Sequence, residues 1–542
     1  MKKIYNLSKS PNGKPYLVML CLLAIVGLNS CTKNFEKYNS DQTGIPDKDL
    51  QVPTLFIPIE QKIFTNYQIA QNLNADAYAG YSTPPQTFGR TLYNMNYVFV
   101  DGWNQSAFND IYTKIIGPIK NKLGPLNVKT TLPDFWAVAL ILEVEAIDRV
   151  TDKFGPVPYS KVGSSLISIP YDSQESIYQQ MFLQLDTASS NLASYIAANP
   201  GKKPFVNSDV VFAGDYTKWL KLANSLRLRL AMHIVKADPA TAKAQAEKAM
   251  AATGGLLSDA GDVAAIAGSG QNDYYVITAS YTDNSMSASI QSYMVGYNDP
   301  RISKYFLPVV TEAGTPGALA SQYAGQYIGI RIGSDVKAKP AYSGYSVYNY
   351  NTTFTATAPQ VIMTAAEVWF LKAEAALRGW TGAGDIQTNY ETGIDRSMTQ
   401  YGVSASAATY KADATSMPAA YVDPQNSANN AAALSSITVK WDGGASNEVK
   451  LERIITQKWL AMFPEGQEAW TEFRRTGYPK LFPVVNNNSN GTVDTQIQVR
   501  RLPYPLSEYS TNADGVKGGL TLLKGPDNGG TRLWWDVNTS NF

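Results

Sequence analysis

Amphipathic helical segments that come in pairs constrain the fold of this chain more than any other feature of its sequence. The predicted pairs span residues 60–79 with 104–122, 133–151 with 173–198, 215–236 with 239–253, and 364–378 with 383–401, and a last helical stretch spans 448–475. Neighbouring pairs of this length bury their apolar stripes by packing side by side. The sequence therefore predicts a mainly α protein in which about four tetratricopeptide-like helix pairs form a scaffold.

In two of these segments, the capping residues and the spacing of the apolar residues indicate a helix most clearly. In 215–236, Trp219, Leu222 and Leu226 lie on one apolar stripe, and Asp215 is placed to cap the helix. In 364–378, the sequence TAAE has the form of a capping box in front of an apolar run. These signals are local, so they fix the helix starts without any knowledge of the fold.

Long polar segments with little helical periodicity separate the helices. Residues 80–103, 254–285 and 305–358 are rich in Gly, Ser, Thr, Asn and Tyr, and 403–447 is an Ala/Ser/Asn-rich surface excursion. Loops longer than about 15 residues are usually functional or disordered, and the aromatic content argues against disorder. We expect one domain over 53–542, with a helical scaffold at about 55–253 and 360–475. A loop-rich lobe at about 254–358 and 403–447, with minor β-structure, would carry a ligand face.

The N-terminus has the pattern of an export signal with a lipidation site. A basic segment without acidic residues precedes an apolar run of about a dozen residues, which is too short to span a membrane, and Ser30-Cys31 follows. We expect 1–30 to be a lipoprotein signal peptide, Cys31 to be lipidated, and 31–52 to be a tether. The alternative is an ordinary signal peptide that happens to carry a cysteine.

Charge and residue types exclude several classes of function. Without 1–30, Lys and Arg fall from 46 to 42 against 45 Asp and Glu, a net charge of about −3, so nucleic acid is not an expected partner. Only Cys31 and the single histidine, His233, remain for nucleophilic or zinc chemistry. Catalytic triads, His-rich zinc sites and cofactor motifs are therefore not expected, and we predict a protein that is not an enzyme and holds no cofactor or metal.

Carboxylate chemistry is harder to exclude from sequence. Glu465, Glu468 and Glu472 line one side of a predicted helix, as surface glutamates often do, and a glycosidase would need a carboxylate pair at a set separation. Asp527-Asn528-Gly529-Gly530 is either a plain turn or a calcium-binding loop. A hydrolase function and a structural calcium both stay open at this point.

Several segments, taken together, resemble the SusD/RagB family of nutrient-binding outer-membrane lipoproteins of the Bacteroidetes type. They are 147–160 (IDRVTDKFGPVPYS), 212–227 (FAGDYTKWLKLANSLR), 298–301 (NDPR), 364–375 (TAAEVWFLKAEA), 457–463 (QKWLAMF), 474–479 (RRTGYP) and 501–505 (RLPYP). The resemblance covers nearly the whole chain after Cys31 and is closest to the branch called SusD-like.

This resemblance implies a cell-surface lipoprotein, attached to the outer membrane only through its lipid. It implies that the protein captures glycans or oligosaccharides and delivers them to a TonB-dependent transporter of the SusC type. Peptide capture by a similar protein and a non-catalytic structural role remain alternatives. The segment after Cys31 has only one early acidic residue, Glu36, so display on the outer leaflet is open.

A ligand face for capture should combine aromatic rings with amides and charges, because sugar rings stack on aromatic faces while polar groups bind the hydroxyls. The three long loops offer such residues, with tyrosines that we expect to lie partly on one face of a strand in the third loop. The predicted ligand-binding residues are Tyr81, Arg90, Tyr93, Asn94, Tyr97, Asn272, Tyr274, Tyr275, Tyr342, Tyr345 and Tyr348.

Overall fold

Helices account for most of the regular structure in this computed structural model, which describes residues 51–267, 272–336 and 338–542. The predicted signal peptide, the lipidated Cys31 and nearly all of the tether lie outside the described residues. Residues 52–542 form one compact unit. Among the described residues, none of the helices combines the length and the apolar character that crossing a membrane requires.

The α-helices follow one another from residue 56 to residue 523. They are α1 Phe56–Glu60, α2 Asp101–Ile111, α3 Val128–Thr131, α4 Pro133–Phe154, α5 Gln174–Ala198, α6 Tyr216–His233, α7 Pro239–Met250, α8 Asp273–Tyr275, α9 Ala288–Gly296, α10 Ile302–Tyr305, α11 Lys339–Tyr342, α12 Ala365–Leu377, α13 Ile386–Gln400, α14 Ala407–Ala412, α15 Asn447–Met462, α16 Gly466–Thr476, α17 Leu506–Thr511 and α18 Ala513–Leu523. Wider π-type turns occupy Gln68–Asp76, Tyr112–Ile116, Ile119–Leu123 and Val276–Ser280.

The predicted helix pairs are confirmed. Helix α4 packs on α5, α6 on α7, and α12 on α13, while the π-helical segment Gln68–Asp76 packs on α2. Asp215 caps α6 by accepting from the amide of Thr217 at 3.1 Å, as predicted. Thr364 caps α12, but Glu367 does not complete the capping box, because its carboxylate binds the guanidinium of Arg229 at 2.7 and 2.8 Å.

The last predicted helix, 448–475, is two helices. Helix α15 ends at Met462, because Pro464 cannot donate a backbone hydrogen bond and disfavours a helical conformation at Phe463. Helix α16 starts two residues after the proline. The break turns α16 back against α15 and α6, which places its glutamates inside the protein rather than on its surface.

In the described part of the chain, the strands form three short antiparallel pairs. Strand β1 (Ser82–Thr83) pairs with β5 (Ser285–Met286), β2 (Val157–Pro158) with β3 (Tyr171–Asp172), and β4 (Val263–Ile266) with β6 (Gln360–Thr364). The pairing of β1 with β5 joins the first long loop to the second. The expected strand with alternating tyrosines at 342–350 is wrong: α11 ends at Tyr342, and Tyr348 makes only an isolated bridge to Phe306.

The core of the scaffold contains a network of buried charges, and here the expectation of surface glutamates is wrong. Glu468 is 4% exposed, accepts from Lys458 Nζ at 3.0 Å and lies 3.0 Å from His233 Nε2. Arg475 bridges Glu472 and Glu374. Because each charge has an opposite partner, the helices can bury them without leaving a charge uncompensated.

Candidate ligand-binding cleft

One carboxylate ties the three long loops together. Asp283, on the second loop, accepts hydrogen bonds from Gln86 of the first loop and from Gln68 of the scaffold at 2.9 Å. Its other contact is a 2.6 Å ion pair with Lys339 of the third loop. The loops are therefore one connected assembly.

A cleft of about 260 Å³ opens where the first and third loops meet a turn at 486–490, and we call it the amide cleft. Thr87, Thr91 and Asn96 come from the first loop, and Ser334, Asp335 and Val336 come from the third. The remaining lining residues are Asn486 and Asn488. Segments that are far apart in sequence thus supply one polar concave surface, as ligand sites commonly require.

Hydrogen bonds to the backbone hold the walls of this cleft. Asn96 donates from its side-chain amide to the carbonyl of Asn486 at 3.2 Å, and its own carbonyl accepts from the amide of Asn488 at 2.9 Å. Asn486 donates to the carbonyl of Gly333 at 2.9 Å. Gly333 has φ +73°, and a Cβ there would lie 2.2 Å from the Val484 side chain, so the close approach of the two walls requires glycine.

The lining of the cleft is polar, and its side chains can both donate and accept hydrogen bonds. Its lining combines hydroxyls and amides with a single carboxylate, Asp335. Among the described residues that line it there is no histidine, cysteine or lysine. Arg90 and Leu92, both exposed, follow Thr87 on the same loop and extend the surface beyond the cleft.

The predicted ligand residues lie mostly beneath this surface. Arg90 is exposed and Tyr275 is half-buried, whereas Tyr81, Tyr93, Asn94, Tyr97, Asn272, Tyr274, Tyr342, Tyr345 and Tyr348 are buried. A ring without exposed surface cannot stack on a sugar in this conformation. Ligand contact stays a prediction, which now depends on Arg90 and Tyr275 and on the residues that line the cleft.

Hydrogen bonding helps to explain the burial of Tyr81, Tyr342 and Tyr345, because a buried phenol can donate to a backbone carbonyl or to a carboxylate. Tyr81 donates to the carbonyl of Trp459, and Tyr342 donates to the carbonyl of Asp335 at 3.4 Å. Tyr345 stacks on Tyr342 and donates to Asp423 at 2.6 Å. Tyr342 and Tyr345 thus position the wall that carries Asp335.

The predicted asparagines also position loops. Asn94 accepts from the amide of Val100 at 2.9 Å and donates to the carbonyl of Leu73 at 3.2 Å, which frames the first loop. Asn272 caps the short helix α8 through the amide of Tyr275. These contacts use the side-chain groups that the sequence had assigned to a ligand.

Sequence reasoning missed the residues that line the cleft. Thr87, Thr91 and Asn96 lie within the first predicted loop, and Ser334 and Asp335 lie within the third, but none of them is among the predicted ligand-binding residues. Asn486 and Asn488 had a signal of their own, the polar run NNNSNG at 486–491. A run of amides that ends in glycine is typical of an exposed turn, and here it forms one wall of the cleft.

Two carboxylate–histidine clusters have the spacing for a metal, namely His233 with Asp148 and Asp152, and His233 with Glu468 and Glu472. Burial alone would lower the pKa of His233, but Glu468, Asp152 and Asp148 outweigh it and raise the pKa to about 9. A protonated imidazole has no lone pair for a metal. Protein groups lie within hydrogen-bond distance of both ring nitrogens of His233, since Nε2 is 3.0 Å from Glu468 and Nδ1 is 3.0 Å from the hydroxyl of Tyr178.

The Asp527 turn is likewise occupied by protein groups. Its carboxylate pairs with Arg501, accepts from the amide of Tyr504 at 3.1 Å, and accepts from the hydroxyl of Tyr509 at 2.7 Å. These contacts satisfy the carboxylate without a cation. The turn interpretation accounts for the geometry.

Comparison with known proteins identifies relatives over nearly the whole chain. The family described as Susd and RagB outer membrane lipoprotein matches residues 32–536. The structure of a chitin-binding SusD homologue from Flavobacterium johnsoniae is 42% identical, covers 91% of this chain and 100% of its own, and has a TM-score of 0.85. No curated protein matches the chain.

SusD homologues from two Bacteroides species are similar as well. The structure from Bacteroides vulgatus is 35% identical with a TM-score of 0.83, and it covers 90% of this chain and 98% of its own. The structure from Bacteroides thetaiotaomicron is 33% identical with a TM-score of 0.82, and it covers 91% and 100%. The similarity therefore extends through the scaffold and the loops alike.

Proposed function

The chain belongs to the SusD and RagB family of outer-membrane lipoproteins, and on that premise we propose that it captures neutral oligosaccharides at the cell surface for import. The amide cleft is the observation that carries this proposal. Its hydroxyls and side-chain amides suit the hydroxyl and acetamido groups of a sugar, and its single carboxylate, Asp335, adds a further acceptor.

The ligand class follows from the chemistry of the cleft together with one relative. The similar structure from Flavobacterium johnsoniae is described as chitin-binding, and oligomers of N-acetylglucosamine are neutral ligands rich in hydroxyls and amides. We therefore take these oligomers as the first ligands to test. Peptides are the second class, because backbone amides bind the same groups.

The proposal also includes attachment of the protein to the membrane and delivery of the ligand to a transporter. We infer that Cys31 carries the lipid anchor, that the protein faces the cell exterior, and that a TonB-dependent transporter of the SusC type receives the ligand. Protease accessibility in intact cells tests the orientation, and loss of membrane attachment in Cys31→Ser tests the anchor. Co-purification of the two proteins from outer membranes tests the partner.

Binding is tested on the chain from residue 32 onward, which contains the whole compact unit 52–542. Calorimetry compares chito-oligosaccharides, other neutral oligosaccharides and peptides. In the variant Thr91→Ala/Asn488→Ala we expect affinity to fall at least about tenfold, because hydrogen bonds to the ligand are lost.

The matched control is Asn207→Ala/Thr399→Ala, which removes the same two types of side chain from exposed positions on the scaffold. It should bind as the unchanged chain does. If only peptides bind, the ligand of the cleft is a peptide and not an oligosaccharide. Equal binding by both variants, or binding of no member of the panel, would contradict the proposed cleft.

A further inference from the structure

A second cavity, of about 400 Å³, lies away from the amide cleft, and we call it the basic cavity. It opens between the end of α16, the segment 496–500 and the chain at 532–539. Its charged lining consists of Lys236, Arg474, Arg475, Lys480, Arg500 and Arg532. Among the described residues that line it, none is acidic, which distinguishes it from the neutral amide cleft.

Carboxylates behind the lining compensate only part of this charge. Asp536 pairs with Arg500 at 2.5 Å and with Arg532 at 2.7 Å. Arg475 is paired with Glu374 and Glu472. Within the described chain, Lys236, Arg474 and Lys480 have no carboxylate within ion-pair distance, so the cavity keeps an excess of positive charge.

Arg474 is the most confined of these cations. Its guanidinium donates to the carbonyl of Asp152 at 2.5 Å, to the carbonyl of Arg500 at 2.9 Å, and to the hydroxyl of Thr471 at 3.0 Å. It also lies 3.6 Å from the centre of the Trp470 ring. Neutral partners thus fix its orientation and leave its charge without an anion.

Lys236 is partly buried beside three of these arginines. Its ammonium donates to the carbonyl of Thr539 at 3.3 Å. Burial, together with the neighbouring charges of Arg475, Arg532 and Arg500, lowers its pKa to about 8, although Asp536 acts in the opposite direction. An anion in the cavity would relieve this repulsion and favour the charged form of Lys236.

The remaining lining residues favour a small organic ligand over an inorganic ion. The side chains of Leu434 and Ile497 are exposed at the cavity, and Gln496 and Asn538 add polar groups. A volume of about 400 Å³ falls in the range of sites for small organic ligands. Small ligands usually place their apolar parts on such side chains and their charges on fixed partners.

We propose that the basic cavity binds a small organic anion, whose carboxylate, sulfate or phosphate group lies against Lys236 and Lys480, in the field of the buried Arg474 guanidinium. Acidic monosaccharides have this chemistry, and so do sugar phosphates. The binding site is separate from the amide cleft, although the loop 486–498 contributes residues to both. The basic cavity would therefore bind ligands with an acidic group, and neutral sugars would not occupy it.

Calorimetry on the chain from residue 32 onward tests the proposal with glucuronate, glucose 6-phosphate, glucose, inorganic sulfate and inorganic phosphate, all at equal ionic strength. We expect saturable binding of at least one organic anion and none of glucose at this cavity. The variant Lys236→Met/Lys480→Met should lower the affinity at least about tenfold, because two charged partners are lost. Binding should also weaken as the pH rises through about 8, where Lys236 loses its proton.

The control Lys440→Met/Lys517→Met removes the same charge from exposed positions elsewhere and should bind normally. If both variants lose the same affinity for the anion, the effect comes from the net charge of the protein and the proposal is wrong. If only inorganic ions bind, the proposal of an organic ligand is wrong. If none of the anions binds saturably, the cavity is not an anion-binding site. Chito-oligosaccharide binding, measured in the same variants, reports on the amide cleft separately.

Discussion

The helical scaffold and the long loops bury polar groups of different kinds. In the scaffold, helix backbones satisfy most of their own hydrogen bonds, and many of the buried charged side chains form opposite pairs, such as Arg229 with Glu367. In the loops, the backbone is irregular, and buried tyrosines donate to its carbonyls. The difference shows that regular backbone leaves side chains free to pair with each other, whereas irregular backbone requires side chains as partners.

The tyrosine contacts recur across the loops and at their borders with the helices. Phenols that donate to backbone carbonyls belong to Tyr78, Tyr81, Tyr112, Tyr293, Tyr297, Tyr305, Tyr342, Tyr390, Tyr401, Tyr421 and Tyr504. Phenylalanine fills the same volume but cannot make this bond. Each of these tyrosines therefore makes a contact that phenylalanine could not replace.

Removal of one ion from the scaffold network should have the largest effect. In Arg229→Met, Glu367 loses its two hydrogen bonds and stays buried without a partner, so the free energy of unfolding should fall by about 3–5 kcal/mol. Urea unfolding followed by tryptophan fluorescence measures it. The double variant Arg229→Met/Glu367→Leu should recover part of the loss, and no recovery would show that packing rather than charge is responsible.

Changes of pH should affect the scaffold network more than the loop segments that tyrosines hold. The pKa of His233 is raised to about 9, so the stability that it contributes is complete below its unfolded value of 6.5 and is lost as the pH rises to 9. Burial would raise the pKa of Glu468, but His233, Lys458 and Arg229 lower it well below 4.5. Its contribution is present above pH 4.5 and is lost at lower pH.

Hydrogen exchange, expressed as protection factors at pH 3.5, 6 and 9, measures this difference. Protection in α6 and α16 should be greatest at pH 6 and should fall at both extremes. The loop amides beside Tyr305 and Tyr345 should change little, because burial raises the pKa of both phenols and keeps them neutral. Parallel changes in loops and scaffold would contradict the comparison.

Loss of one tyrosine hydroxyl should have an intermediate effect. Tyr305 donates to the carbonyl of Leu460 at 2.9 Å, and Tyr305→Phe leaves that buried carbonyl without its partner. The free energy of unfolding should fall by about 1–3 kcal/mol. Tyr281, whose ring is about half exposed, provides the control, and Tyr281→Phe should change stability by less than about 0.5 kcal/mol.

Substitution on the surface of the loops should have the smallest effect on stability. Arg90 is exposed, so Arg90→Ala should change the free energy of unfolding by less than about 0.5 kcal/mol. If Arg90 contacts the ligand, as the sequence predicts, affinity for the oligosaccharide should fall without that change. Thermal unfolding and calorimetry on the same sample separate the two quantities.

Sequence predicted the scaffold because its signals are local. A cap such as Asp215 and a stripe such as that of Trp219 are complete within one helix, and both are confirmed. The break after Met462 was missed, although Pro464 is visible in the sequence, because the apolar period continues on both sides of it. The surface placement of Glu468 was wrong because its partners, His233 and Lys458, come from other helices.

The cleft was less accessible to sequence reasoning. A tyrosine in a loop has the same local signal whether its ring is exposed or its hydroxyl binds a distant carbonyl, as that of Tyr81 does at Trp459. Only the fold brings Thr91 and Asn488 to one surface, since about four hundred residues separate them. The first and third loops were identified from the sequence, whereas the turn at 486–490 and most of the residues that line the cleft were not.

The contacts of Asp283 have a consequence for engineering. Its partners are Gln86 on the first loop and Lys339 on the third, so the three loops share one polar connection, and the pairing of β1 with β5 reinforces it. A graft that replaced a single loop would separate Asp283 from a partner and leave the others without their anchor. Exchange of ligand preference between relatives should therefore succeed when the loops are transplanted as a set that keeps Gln86, Asp283 and Lys339 together.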